Sequence, residues 1–185
     1  MSVDTADAMK FANAEITFVG RSNAGKSSLI NALCGNQSLA KIAKTPGKTR
    51  TINVYAVAEG RWMVDLPGYG FANVSKTERY SWKDMADVYF RRTSLKAIFV
   101  VIDAHVGATP LDRQMLLWLR RSGIPYRVIV NKIDRENQAK ILDLQQRLPA
   151  DLKVPAEHMF YLSGKKSIGI PELHECICSF LGVAV

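Results

Sequence analysis

Short apolar runs alternate along this chain with stretches in which apolar residues recur every three or four positions. The runs at 15–20, 51–58, 61–66, 96–103, 126–131 and 159–162 predict six strands. Helical spacing predicts helices over 26–34, 81–92, 110–121, 136–148 and 168–181. Strands and helices that alternate in this way define an α/β sheet with helices on both faces. Glu59-Gly60 is a hairpin signal between the second and third strands, so these two are expected to pair antiparallel. The others need crossovers and should be parallel, giving a six-stranded, mostly parallel sheet with one antiparallel strand. One domain is expected over 15–185, preceded over 1–14 by a short polar leader for which disorder is left open.

The junctions in this pattern carry the chemistry. Gly20-Arg21-Ser22-Asn23-Ala24-Gly25-Lys26-Ser27, continuing into Ser28, joins the first strand to the first helix and matches G-x-x-x-x-G-K-[ST]. Its glycines let the backbone turn N–H groups inward around phosphate, and the helix N-terminus adds its dipole. This predicts a P-loop NTPase fold. Asp65-Leu66-Pro67-Gly68 leaves the third strand. A carboxylate closing an apolar strand needs a partner, and Mg²⁺ bridging two phosphates supplies one, with Asp65 acting through a bound water. Gly68 lets its backbone N–H approach a terminal phosphate.

Asn131-Lys132-Ile133-Asp134 leaves the fifth strand. Guanine offers N1–H and its 2-amino group side by side, and one carboxylate accepts both; adenine lacks the pair. Asp134 is therefore the expected base selector, Asn131 a brace for the neighbouring loops and the base, and Lys132 a stem lying over the ring. An ATP-using P-loop kinase fails on Asp134. Leu162-Ser163-Gly164 ends the sixth strand on the same side.

The formal net charge of +8 on 185 residues changes the picture next. No acidic residue falls between Ile16 and Ala58, where Arg21, Lys26, Lys41, Lys44, Lys48 and Arg50 stand. A basic chain without a membrane-length apolar run points to phosphate, in a small ligand or along a nucleic acid. No membrane insertion is expected, and a monomer is. Cys34, Cys176 and Cys178 lack metal-ligand spacing and read as packed free thiols in a reducing compartment. Trp62, Trp82 and Trp118 read as packing residues, and His105 as a loop residue for which phosphate or RNA contact stays open.

Five stretches, GRSNAGKSSLINAL (Gly20–Leu33), KTPGKTRTIN (Lys44–Asn53), VDLPGYGFA (Val64–Ala72), NKID (Asn131–Asp134) and SGKKSIGIPEL (Ser163–Leu173), closely resemble the EngB family. That family, also called YihA or YsxC, belongs to the Era-like, translation-associated GTPases. The resemblance runs from about Glu15 to the C-terminus and implies a G domain that binds GTP and GDP. It further implies a switch assisting assembly of the large ribosomal subunit through that subunit's rRNA, with links to the cell cycle, division and septation. It makes Lys44–Arg50 the first switch, with Gly47 and Lys48 at the phosphates and Thr49 joining Ser27 as a Mg²⁺ ligand. Lys26, Thr49 and Gly68 become the catalytic set, and Gly68 opens a second switch reaching about Lys83. Ser163 and Gly164 fall in the loop that meets the guanine carbonyl.

Two positions depart from the family pattern. Asn131 stands where a threonine is usual, a change expected to preserve guanine specificity, and Gly164 stands where a second small polar residue is usual, which keeps a backbone contact but leads to the expectation of a looser loop. Tyr69 occupies the place where many GTPases carry a water-orienting glutamine, which implies slow intrinsic hydrolysis. Asn23 matches a position that helps related GTPases hold K⁺, so K⁺ stimulation is a candidate property. The resemblance places the chain in the cytoplasm, or in a mitochondrial or plastid matrix if a leader is missing. A nucleotide-gated protein-binding module at a division or membrane site, with hydrolysis incidental, is the alternative function.

Overall fold

The computed structural model describes residues 2–3, 12–36, 39–40, 51–69 and 84–184. The six expected strands are present as β2 (Ala14–Gly20), β3 (Ile52–Ala58), β4 (Arg61–Asp65), β5 (Leu95–Asp103), β6 (Tyr126–Asn131) and β7 (Met159–Leu162). A two-residue strand, β1 (Ser2–Val3), lies within the expected leader and pairs antiparallel with Ile52 and Asn53 at the sheet edge. The sheet order is β1-β3-β4-β2-β5-β6-β7. β3 and β4 form the antiparallel hairpin through Glu59-Gly60, and β4-β2-β5-β6-β7 are parallel.

The helices are α1 (Lys26–Leu33), α2 (helical residues 84–89), α3 (Pro110–Ser122), α4 (Gln138–Leu152) and α5 (Ile170–Leu181). Each strand side chain alternates between two cores, because successive residues point to opposite faces. Ala97, Phe99 and Val101 of β5 join Leu29 and Ile30 of α1 and Leu173, Ile177 and Leu181 of α5. Ile98, Val100 and Ile102 join Tyr89 of α2, Leu116 and Leu119 of α3, and Leu144 and Leu148 of α4. A central strand buried on both faces reads as one unbroken apolar run, which is why 96–103 stood out in the sequence.

Three helices have a boundary two or more residues from the sequence reading. Among the described residues, α2 ends at residue 89, and 90–92 form a turn closed by Arg92 N–H on the Tyr89 carbonyl. α4 begins two residues late, at Gln138, where the Asn137 side chain accepts from the Lys140 N–H at 2.8 Å. It then passes Pro149 to Leu152, and Lys153 in the left-handed conformation closes it. α5 starts at Ile170 because Gly169, at φ 69°, turns the chain first.

All three cysteines are free thiols. Only Cys178 is buried; Cys34 and Cys176 are half-buried, so the expectation that all three are packed away is corrected. Cys34 ends α1, and Cys176 is one step off the Leu173–Ile177 stripe, which leaves each side chain at the rim of its core. Trp62 packs partly against the core. Trp118 rests on Phe90 with ring centroids 5.0 Å apart. Trp82 lies outside the described residues. No helix among the described residues is long and apolar enough to cross a membrane.

Candidate functional site

The parallel strands all end on one edge, so Gly20, Asp65, Asp103, Asn131 and Leu162 open their loops there. Open α/β sheets bind ligands outside this edge. Gly20–Ser27 curls from β2 into α1, with Asn23 at φ 65° and Gly25 at φ 95°. Gly25 has a second requirement: a Cβ there would stand 2.4 Å from Asn131 Nδ2. The orphan N–H groups at the start of α1 face this loop, since no side chain caps the helix.

Lys26 is buried and its Nζ donates to the Gly20 carbonyl at 3.3 Å. Ser27 Oγ donates to Asp65 Oδ2 at 3.2 Å, while the buried Asp65 Oδ1 has no partner among the described residues. Burial pushes the Lys26 ammonium down against the pull of Asp65. It pushes the Asp65 carboxyl up against Lys26 and the Ser27 hydroxyl. The protein alone thus compensates burial of either group only in part, and phosphate beside Lys26 or a cation beside Asp65 would supply the rest.

Leu66, Pro67, Gly68 and Tyr69 extend β4 along the phosphate loop. Leu66 N–H reaches the Phe18 carbonyl at 3.3 Å, Tyr69 N–H the Gly20 carbonyl at 3.2 Å, and Ser22 N–H the Tyr69 carbonyl at 3.3 Å. A Cβ on Gly68 would lie 2.8 Å from Ser22 N, so the glycine is what permits this approach. The Tyr69 side chain turns into the core and donates to Asp112 Oδ1 at 2.7 Å. Burial first, then the Asp112 charge, push its phenol well above the usual range.

Asn131 is buried and joins three segments. Its Nδ2 donates to the Ala24 carbonyl at 3.0 Å, and its Oδ1 accepts from Lys132 N at 2.8 Å and Gly164 N at 3.2 Å. Lys132 Nζ donates to the Asn23 carbonyl and to Asp103 Oδ2, the latter at 2.6 Å. Burial opposes charge on Asp103, but the hydrogen bonds from Lys132 and the His105 and Val106 backbone hold its carboxyl below its usual value. Ser163 Oγ donates to Asp134 Oδ1 at 2.6 Å and accepts from Lys166 N at 3.1 Å. Residues 163–168 are pinned by two backbone bonds between Ser163 and Ile168, at 3.0 and 3.2 Å. Gly164 sits close on α1, where a Cβ would be 3.1 Å from Leu29 Cα. The loop is thus tied at both ends. His105 is exposed and bonds Glu136 Oε1 at 2.8 Å.

The structure thus gathers Gly20–Ser28, Asp65–Gly68, Asn131, Lys132, Asp134, Leu162, Ser163 and Gly164 at one edge. Gly47, Lys48 and Thr49 lie outside the described residues. Asp103 and Asp112 were not singled out by the sequence reading. Asp103 did carry the signal used for Asp65, an acidic residue closing an apolar strand at this edge.

Fold and site together define a P-loop guanine-nucleotide-binding protein, a GTPase. The family model described as "50S ribosome-binding GTPase" matches residues 15–132, and that described as "Elongation factor Tu GTP binding domain" matches residues 87–182. A probable GTP-binding protein EngB of Thermotoga maritima is 40% identical over 172 residues, covering 90% of this chain and 86% of that one. Its counterpart in Aquifex aeolicus is 45% identical over 129 residues, 69% of this chain and 70% of the other. A crystal structure of a probable GTP-binding protein EngB superposes with a TM-score of 0.73 at 27% identity, covering 91% of this chain and 99% of that one. The chain belongs to the EngB family of GTP-binding proteins.

Proposed function

We propose that this GTPase is a nucleotide-controlled switch that binds the large ribosomal subunit and assists its assembly. The observation that supports this most is the match of residues 15–132 to a family described as 50S ribosome-binding. The net charge of +8 agrees with a phosphate-rich partner. Co-sedimentation with large subunits, in GDP and in a non-hydrolysable GTP analogue, tests it. Retention in one nucleotide state, lost as salt rises, is expected. Equal absence from the subunit in both states would sink the proposal and favour the protein-binding alternative.

At the site, Lys26 and the N–H groups of Asn23 and Gly25–Ser28 hold the phosphates, and Gly68 meets the terminal one, while the Ser22 and Ala24 N–H groups close the loop on the Tyr69 and Arg21 carbonyls. Phosphoryl transfer relies mainly on positioning and charge stabilisation, so these groups supply most of what the protein contributes. Ser27 and Asp65 suit Mg²⁺, because the buried Asp65 Oδ1 is unpartnered among the described residues and its neighbour is a hydroxyl. When bound there, Mg²⁺ neutralises charge on the phosphate oxygens. Thr49 completes the ligand set in this reading. Asp134, oriented by Ser163, accepts from the guanine edge, while Leu162 and Gly164 line the base.

Tyr69 has its hydroxyl committed to Asp112 and does not reach an attacking water, so slow intrinsic turnover is expected. Asn23 is exposed in the left-handed conformation with its side chain at the loop surface, where it can serve a K⁺. Turnover in K⁺ buffer should exceed that in matched Na⁺ buffer by about tenfold or more, against the roughly 10²–10³ that one well-placed transition-state donor supplies. Chelation of divalent ions should weaken GDP binding. Equal rates in both salts, unchanged in Asn23→Ala, would remove the K⁺ role.

A further inference from the structure

We propose that Tyr69 and Asp112 form a positioning pair that sets Gly68 at the terminal phosphate and so makes the site sensitive to the γ-phosphate. The inference rests on the reading of Gly68 given above. Tyr69 immediately follows Gly68 and is clamped on both sides of its peptide unit, its N–H on Gly20 and its carbonyl on Ser22. Those two bonds fix the register of Gly68 along the phosphate loop. What fixes Tyr69 in turn is its side chain, 7% exposed, with the hydroxyl on Asp112.

Asp112 is a firm anchor for three reasons. It is 1% exposed and sits in the first turn of α3. Its second oxygen accepts from Thr109 N at 2.8 Å and Thr109 Oγ1 at 2.6 Å, and its own N–H donates back to Thr109 Oγ1 at 3.5 Å, completing a capping box. The body of α3 is itself tied to the end of α4, by Arg113 on the Asp151 carbonyl and Arg120 on the Leu152 carbonyl. A carboxylate held this way cannot follow a tyrosine that moves, so any displacement of Gly68 along the loop must break a buried, charge-assisted hydrogen bond. GDP does not need Gly68 in this register, whereas a γ-phosphate does.

The test compares the affinities of GDP and a non-hydrolysable GTP analogue in the full chain. Tyr69→Phe keeps the ring and loses the donor to Asp112. It should leave GDP affinity within about twofold of the parent and weaken the GTP analogue by about fivefold or more, a typical coupling. A fall in kcat of similar size should accompany it. Leu181→Ala hollows the core on the other face of the sheet, away from Tyr69 and Asp112, so it should lower Tm without moving the ratio of affinities. If Tyr69→Phe leaves the ratio at the parental value, or if Leu181→Ala shifts it equally, the pair is merely structural and the proposal is overturned. If the parent protein binds neither nucleotide, the reading of the site fails instead.

Discussion

Asp134→Asn will weaken binding of GDP and GTP by about 10²–10⁴-fold. Two charge-assisted hydrogen bonds from guanine N1–H and the 2-amino group are at stake, at about 1.5–3 kcal/mol each. Roughly 3–6 kcal/mol converts to that range of Kd. The orientation of the carboxylate is set by Ser163, whose hydroxyl donates to Oδ1 at 2.6 Å and is itself fixed by the Lys166 N–H at 3.1 Å. An ionised carboxylate still has acceptor capacity for the base after taking that bond. The amide cannot accept from both guanine donors, and its NH₂ meets one of them. Xanthine carries a carbonyl where guanine has the 2-amino group, so the same variant should gain affinity for XDP. Displacement of a fluorescent nucleotide by GDP, XDP and ADP reads all of this in one assay. A folded Asp134→Asn protein that still prefers GDP at parental affinity would show that another group reads the base.

How much of this was visible in the sequence depends on the range of the interaction. The phosphate loop, the hairpin at Glu59-Gly60 and the strand at 96–103 are set by residue types a few positions apart, so pattern and spacing exposed them. Asn131 could be named as a brace because its motif is local, yet its three connections, to Ala24, Lys132 and Gly164, required the fold. Tyr69 shows the limit most clearly. Its position after Gly68 told what it replaces, but not that the hydroxyl turns inward to a carboxylate 43 residues away. Asp112 likewise carries no local signal of this contact. The helical spacing ends at 148, yet α4 passes Pro149, which lacks an N–H and crowds the turn before it, and persists for one further turn that Lys153 closes.

The largest effect on stability is expected far from the nucleotide edge, at the opposite end of β2. Glu15 is fully buried there, and its Oε1 accepts from Arg92 Nε and Ser94 Oγ, both at 2.6 Å. Its Oε2 has no partner among the described residues, so the carboxylate depends on those two donors. Tyr89 is packed in the same core, and burial first, then the Glu15 charge, push its phenol well above the usual range. Arg92→Met therefore leaves a buried carboxylate with Ser94 as its one side-chain donor among the described residues, whereas the whole pair replaced by apolar groups leaves no charge behind. Breaking such a pair from one side costs about 3–5 kcal/mol, while replacing both partners is often neutral or stabilising. For a chain of this size each kcal/mol moves Tm by about 2–4 °C, so Arg92→Met should melt roughly 6–20 °C lower. The double variant Glu15→Met with Arg92→Met should recover most of that loss, and GDP affinity measured well below the transition should stay near the parental value in both. Thermal melts of the four proteins in the cycle separate the two effects. If the double variant is no more stable than Arg92→Met, the damage comes from lost packing of the arginine stem and not from a stranded charge.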